Sequence, residues 1–116
     1  MTFSLIGRCS RTGQFGAAAT TSSLAVGARV QAVAPRLGAV LTQHRTDPRL
    51  GPRGLGLLRS GCTAAQTVAA LVASTPDHGW RQLAAIDAAG RTAHFHGARV
   101  KPEHGAAHGP DVVAIG

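Results

Sequence analysis

The sequence opens with MTFSLIGR at residues 1–8 and returns with QFGAAAT at residues 14–20. Both runs contain β-forming or small apolar residues, and the link between them is rich in turn residues, so the pair predicts a β-hairpin. Thr2 follows Met1, and a small residue there normally permits removal of the initiator methionine. Removal would leave Thr2 with a free α-amine, a base with a pKa near ~8, beside its own hydroxyl. Thr2 is therefore the first catalytic candidate, and an ordinary strand residue is the alternative.

The composition predicts a single domain with a thin core. The chain has 116 residues, of which 44% are hydrophobic and only 3% are aromatic. Many of the apolar positions are alanine, and alanine buries little surface at about 25 cal/mol per Å². We therefore expect a partner subunit, or further sequence, to complete the core.

The charge pattern argues against nucleic acid as a partner. The net charge is +7, but the eleven arginines are widely spaced, with no basic run and no interleaved aromatic residues. No apolar run approaches the ~18 residues that a membrane span requires, and residues 3–6 are too short for a secretory signal. We predict a cytoplasmic protein that binds neither nucleic acid nor membrane. The absence of acidic residues before Asp47 leaves an organellar transit peptide as a less favoured alternative.

Two helices are predicted in the middle of the chain. Residues 51–61 have a proline in the first turn and a glycine at the C-terminal end. Thr63 and Gln66 have the spacing of a capping box and begin the second helix, which the Thr75–Pro76 step should end. The second helix should bury one face, which carries Ala64, Val68, Leu71 and Val72.

Strands are predicted on both sides of these helices. Residues 38–42 form a short apolar run typical of a buried strand. Residues 82–86 and 91–95 flank a turn with Asp87 first and Gly90 fourth, which predicts a second hairpin. The order is two or three strands, two helices and then more strands, which indicates an α+β fold.

Several polar residues are candidates for substrate contacts. Ser4 shares a strand face with Thr2 and is a hydrogen-bonding neighbour in either a functional or a structural role. Gln43, His44 and Asp47 follow the predicted buried strand, where a loop can reach a pocket and orient a substrate. A solvated loop is the alternative for these three residues.

The histidines suggest a metal site only as a less favoured alternative. His94 and His96 share a face of a predicted strand, and Glu103, His104 and His108 follow in a predicted polar loop. A His-x-His pair is common by chance, and the two cysteines lie far apart without metal-like spacing. We predict no metal and no cofactor.

Five stretches, in their order and spacing, resemble the family of unknown function DUF1028. They are TFS at 2–4, TGQFG at 12–16, AVGA at 25–28, the block at 38–55 and the hairpin region at 81–91. The resemblance covers nearly the whole chain. It implies one domain over residues 1–116 with an N-terminal-nucleophile hydrolase-like fold, in which helices cover two stacked β-sheets.

The sequence departs from that family at two places. The resemblance implies a tail that runs from His108 and Gly109 into a Tyr-Ala-Val-x-Gly-Asn stretch and beyond, whereas this sequence stops at Gly116. Asp47 stands where the family often has Asn. We therefore expect an incomplete sandwich, whose uncovered apolar sheet face favours a homo-oligomer.

The predicted function is hydrolysis of an amide or related acyl bond by Thr2. The resemblance implies no particular substrate. A non-catalytic binding or assembly module on the same fold is the alternative.

Overall fold

The computed structural model describes all of residues 1–116 and contains two four-stranded antiparallel sheets. The first sheet contains strands from both ends of the chain. It has the order β2-β1-β8-β7, formed by β1 (Thr2–Arg8), β2 (Phe15–Thr21), β7 (Ala106–Gly109) and β8 (Val112–Ile115).

The second sheet comes from the middle of the chain. It has the order β3-β4-β5-β6, formed by β3 (Gln31–Ala34), β4 (Gly38–Gln43), β5 (Gln82–Asp87) and β6 (Thr92–His96). The helices are α1 (Gly27–Val30), α2 (Leu50–Arg59) and α3 (Ala64–Ser74), with a 3-10 turn at His78–Trp80.

Two apolar clusters hold these elements in three layers. Ile6, Leu41 and Val113 belong to the cluster between the two sheets. The other face of the second sheet packs against α2 and α3 through a separate cluster that includes Leu71 and Leu83. The layers are therefore the first sheet, the second sheet and the pair of longer helices.

The predicted ends of α2 and α3 are confirmed. α2 stops at Arg59, and Gly61 follows in the left-handed region with φ 101°. The Thr63 side chain accepts from the Gln66 backbone N–H at 3.2 Å, and Gln66 Oε1 accepts from the Thr63 N–H at 2.9 Å. This capping box starts α3, whose buried face includes Ala64, Val68 and Leu71 while Val72 packs beside them.

Both predicted hairpins are also confirmed. β1 and β2 pair from Thr2 opposite Thr21 to Arg8 opposite Phe15. In the second hairpin, Gly90 has φ 82° and its N–H donates to the Asp87 carbonyl at 2.9 Å. Glycine adopts this positive φ without a steric penalty, which explains its place in the turn.

The C-terminal hairpin formed by β7 and β8 is not predicted from the sequence, which favours a polar loop at His108. His108 instead lies on β7, and β8 lies between β1 and β7. β7 consists of Ala106–Gly109, which lacks the β-branched and aromatic residues that mark strands. Pairing with β8, rather than local propensity, makes this segment a strand.

The first sheet leaves its outer face uncovered. On that side of β1, Phe3 is 53% exposed and Leu5 is 43% exposed. Ala18, Ala107 and Ala114 join these two residues in lining a groove of about 680 Å³. The helices of this chain therefore cover only the second sheet.

Candidate functional site

Stacking of the two sheets brings the start of β1 to the place where β4 ends and β5 begins. A cleft of about 180 Å³ opens there, and its lining residues include Met1, Thr2, His44, Gln82, Lys101, Glu103, His104 and Gly116. We call it the N-terminal cleft. Because its walls come from five separate segments of the chain, only the tertiary fold can assemble it.

Thr2 is held in the N-terminal cleft by contacts at both its side chain and its backbone. Its hydroxyl oxygen lies 3.0 Å from Oγ1 of Thr21, its partner on β2. Its carbonyl oxygen accepts from Nε2 of Gln43 at 3.0 Å. The residue is half-buried, so its position is defined while part of it stays accessible from the cleft.

A buried network of amides lies beneath the N-terminal cleft. Ser4 donates its hydroxyl hydrogen to Oε1 of Gln43, and Gln43 donates from Nε2 to Oε1 of Gln82 at 3.0 Å. Gln82 in turn donates to the Gly116 carbonyl at 3.0 Å and contacts Nδ1 of His96 at 3.1 Å. Buried amides are stable only when their donors and acceptors are paired, so this network fixes the rotamers of both glutamines.

The predicted substrate residues divide into two groups. Thr2, Ser4 and Gln43 are connected through the amide network, and His44 lines the N-terminal cleft with its Nδ1 at 2.7 Å from the Trp80 carbonyl. Asp47 does not join them, because it lines a different cleft. The sequence predicts that His44 and Asp47 reach the same pocket, but the structure places His44 in the N-terminal cleft and Asp47 in another cleft.

Asp47 is paired with an arginine two residues later in the chain. Its carboxylate accepts from the Arg49 backbone N–H at 3.0 Å, from Nε at 2.9 Å and from a terminal guanidinium nitrogen at 2.8 Å. These hydrogen bonds lower the pKa of Asp47 to about 2, although burial acts in the opposite direction. Asp47 is therefore an ionised structural group in the segment before α2.

Two residues of the N-terminal cleft were missed from the sequence. Gln82 pairs with Gln43 in the strand register, and this pairing across β4 and β5 is the only signal that could have identified it. Lys101 is the only lysine in the chain and lies in the segment between β6 and β7. Nothing in its local sequence predicts its place beside Thr2.

Four histidines lie close together where β6, an edge strand of the second sheet, approaches β7, an edge strand of the first. They are His94, His96, His104 and His108, and we call them the histidine cluster. The ring centroid of His94 lies 5.0 Å from that of His96 and 4.9 Å from that of His108. The ring centroid of His96 lies 4.8 Å from that of His104. Nδ1 of His94 and Nε2 of His108 are 2.7 Å apart. The shared face predicted for His94 and His96 is confirmed.

Burial lowers the pKa of both His94 and His96, and the neighbouring imidazoles lower each further. Nε2 of His96 is buried without a hydrogen-bond partner.

No three His, Cys, Asp or Glu side chains are placed so that they hold a metal ion. Elemental analysis of the purified protein remains the test of the metal alternative.

The fold and the N-terminal cleft define the class of protein as an α+β sandwich of two antiparallel sheets. Residues 2–116 match a family model described as "Family of unknown function (DUF1028)". The chain belongs to this family, and the resemblance drawn from its sequence motifs is confirmed at that level.

A solved structure has the same architecture. The chain is similar to protein SPO2555 from Silicibacter pomeroyi, whose crystal structure is assigned to DUF1028, with 30% sequence identity and a TM-score of 0.94. The match covers 99% of this chain and 54% of that one, so this chain spans about half the length of the solved protein. No curated protein matches the sequence. None of the helices has the length and apolar character needed to cross a membrane.

Proposed function

We propose that the protein is an N-terminal-nucleophile hydrolase that cleaves an amide or related acyl bond with Thr2. The observation that carries the proposal is the placement of Thr2 at the start of β1, half-buried in a cleft beside Lys101, Glu103 and His104. The neighbouring residues supply both signs of charge, with which a polar substrate can be oriented. The family itself has no described function, and the cleft geometry therefore carries the chemistry.

The proposed reaction begins once Met1 has been removed. The α-amine of Thr2 takes the proton of the Thr2 hydroxyl as the oxygen attacks the acyl carbon, and the proton then passes to the leaving amine. Water hydrolyses the resulting ester and restores Thr2. Backbone N–H groups near Thr2 would stabilise the oxyanion that forms in each step.

The amide network supports this chemistry by holding the backbone of Thr2 in place. Gln43 binds the Thr2 carbonyl, and Ser4 and Gln82 fix the orientation of the Gln43 amide. A nucleophile held by its carbonyl keeps its hydroxyl and amine in a constant relation to the cleft. Gln43 is a positioning residue in this proposal and not a reacting group.

Intact mass spectrometry of the protein produced in cells tests the first requirement. Loss of Met1 is expected, because the nucleophile needs a free amine, and retention of Met1 on the native protein would end the proposal. An acid quench during incubation with p-nitrophenyl acetate should then trap an acetyl ester on the Thr2 hydroxyl, which peptide mapping locates and which hydroxylamine should remove.

A pair of variants separates the nucleophile from nonspecific acylation. Thr2→Ala should abolish the acid-trapped, hydroxylamine-labile acetyl ester, whereas Thr20→Ala, which changes an exposed threonine on the adjacent strand, should leave it unchanged. Equal labelling of Thr2→Ala and the unchanged protein would show that another group is acylated. Both variants are compared by thermal unfolding so that misfolding is recognised.

The uncovered face of the first sheet favours a second candidate function, self-assembly. Phe3 and Leu5 are among the few large hydrophobic residues that the chain exposes, and they lie in the groove on that face. A second copy of this chain supplies an identical apolar face, and two such faces meet in a two-fold symmetric dimer. Assembly of this kind requires no free Thr2 amine.

Sedimentation at several protein concentrations tests the assembly function. Dimers are expected, and Phe3→Thr with Leu5→Thr should shift the protein to monomers. Val33→Thr is the matched control, because Val33 is also exposed but lies on the second sheet. Monomers at every concentration without any substitution would exclude the assembly function.

A further inference from the structure

A second cleft lies next to the N-terminal cleft along the chain, but shares no lining residue with it. It has a volume of about 460 Å³ and is lined by Arg45, Asp47, Arg49, Asp77, Trp80 and Arg81, among others. We call it the arginine cleft. The residues that line the two clefts are neighbours at His44–Arg45 and at Arg81–Gln82, so the same strand ends build both.

Arg81 is the unusual group in the arginine cleft, since it is only 8% exposed. Its guanidinium donates to Thr75 Oγ1 at 3.1 Å, to the Pro76 carbonyl at 3.2 Å and to the Arg45 carbonyl. These bonds use three of the five N–H donors of the side chain, and two remain. A buried charge is stable when an opposite charge compensates it, and none of the three ion pairs in the structure includes Arg81.

The nearby carboxylates do not neutralise Arg81 at close range. Asp47 is buried, but its oxygens are taken up by the backbone and side chain of Arg49. The charge of Arg81 also lowers the pKa of Asp47, but it contributes less than the hydrogen bonds from Arg49 do. Asp77 is exposed and forms no ion pair. The arginine cleft thus retains positive charge at its buried end.

The opposite wall of the cleft is built from a strained segment. His44 has φ 57° and Arg45 has φ 50°, a left-handed conformation that costs on the order of 1–3 kcal/mol for each non-glycine residue. This conformation presents the Arg45 carbonyl to Arg81 and places the Arg45 guanidinium carbon 4.0 Å from the centre of the Trp80 ring. Strain of this kind persists where surrounding contacts fix it, and it is concentrated at ligand sites.

We propose that the arginine cleft binds the oxyanion group, carboxylate or phosphate, of a small molecule. The free donors of Arg81 take the negative oxygens, because a guanidinium matches the planar fork of a carboxylate and the oxygens of a phosphate. Arg45 and Trp80 form the wall against which the rest of the molecule lies. The site does not depend on the identity of Thr2 as a nucleophile.

The chain contains one tryptophan, Trp80, so its fluorescence reports directly on the proposed site. The protein is titrated with inorganic phosphate and, separately, with succinate, at constant ionic strength set with sodium chloride. A saturable change in Trp80 emission with at least one probe is expected. A response to phosphate alone assigns a phosphate ligand, a response to succinate alone assigns a carboxylate, and a lack of saturation with both probes overturns the proposal.

Three variants locate the binding. Arg81→Lys keeps the charge but loses the fork and should weaken binding about tenfold, a loss of about 1.4 kcal/mol. Arg45→Gln should also weaken it, and because Arg45 is exposed this variant remains informative if the Arg81 variant fails to fold. Arg59→Gln, at the far end of α2, makes the same change in charge and should bind as the unchanged protein does. If Arg45→Gln and Arg59→Gln weakened anion binding equally, the net charge of the protein would explain the weakening, and the proposal would be overturned.

A fourth variant separates this proposal from the proposed hydrolase function. Thr2→Ala removes the proposed nucleophile but leaves every group of the arginine cleft in place, so its phosphate and succinate titrations should match those of the unchanged protein. Loss of anion binding in Thr2→Ala would show that the emission change comes from the N-terminal cleft, which would contradict the assignment to Arg81.

Discussion

The two sheets of this protein have the same number of strands but different surroundings. In the second sheet every residue of β4 and β5 is buried, because one face packs on the first sheet and the other on α2 and α3. β1 in the first sheet instead alternates between buried Ser4 and Ile6 and exposed Phe3 and Leu5. A strand with two covered faces tolerates few changes, whereas one with an open face tolerates changes on that face.

The largest expected difference between the sheets comes from a matched pair of leucines. Leu71 on α3 is fully buried against the second sheet, and Leu5 on β1 is 43% exposed. Leu71→Ala should lower the free energy of unfolding by about 2–5 kcal/mol, since it removes buried methyl groups and leaves a cavity. Leu5→Ala should lower it by less than about 1 kcal/mol. Urea unfolding at a protein concentration where the chain is monomeric measures both, and similar losses there would mean that Leu5 is packed more tightly than its exposure indicates.

A somewhat smaller loss is expected where the second sheet is tied to the helix layer. The buried carboxylate of Asp87 accepts from the Ala64 N–H at the start of α3 and from the N–H and Nε of Arg91, at 2.9–3.1 Å. Asp87→Asn should cost about 1–3 kcal/mol, because one carboxylate oxygen is replaced by a donor that opposes these groups. Asp77→Asn, at an exposed aspartate without an ion pair, should stay within about 0.5 kcal/mol. Thermal unfolding distinguishes the two variants. If Asp87→Asn were as stable as the unchanged protein, the hydrogen bonds of the Asp87 carboxylate would contribute little to stability.

Two glycines of α2 test how closely the helix layer approaches the second sheet. A Cβ on Gly54 would lie 2.7 Å from a methyl carbon of Val40, whereas a Cβ on Gly56 would meet no atom within 4 Å. Gly56→Ala should stabilise the protein by about 0.5–1 kcal/mol through helix propensity. Gly54→Ala should destabilise it by about 1–3 kcal/mol, because the methyl group overpacks the interface. If Gly54→Ala were as stable as Gly56→Ala, the packing would be looser than the structure shows.

The smallest expected effect is a pH dependence at the edge where the sheets meet. The pKa values of His94 and His96 lie below the ordinary value of 6.5, so between pH 6.5 and those lower values the unfolded chain binds more protons than the folded one. Stability should therefore decrease as the pH falls below 6.5 and level off once the folded histidines are protonated. Urea unfolding between pH 7.5 and 5 measures this, above the range in which Asp47 titrates.

Variants of the histidine cluster provide the control for that pH dependence. A double variant, His94→Gln with His96→Gln, should lose most of it, while His78→Gln, outside the cluster, should retain it. The charged neighbours are few. His104 and His108 contact the pair, and Glu103 forms no ion pair with any of them. Stability that stays constant from pH 7.5 to 5 would contradict the lowered pKa values.

Local sequence determined most of the secondary structure of this chain. The Thr63–Gln66 capping box, the glycine stop at Gly61 and the Asp87–Gly90 turn all act over a few residues, and each predicted the element that the structure contains. The spacing of apolar residues likewise predicted the buried face of α3. These signals are legible because capping, turn geometry and helical periodicity depend on neighbours in the chain.

The clefts and the C-terminal hairpin depended on contacts between distant residues. β7 has no strand propensity of its own and forms because β8 pairs with it, while β8 in turn pairs with β1. The sequence named Thr2, Ser4, Gln43 and His44 as candidates, but it did not show that Gln82 would join them or that Asp47 would lie in the arginine cleft with Arg81. Sheet stacking alone decided which strand ends meet, since the pairing and packing that fix it join residues far apart in the chain.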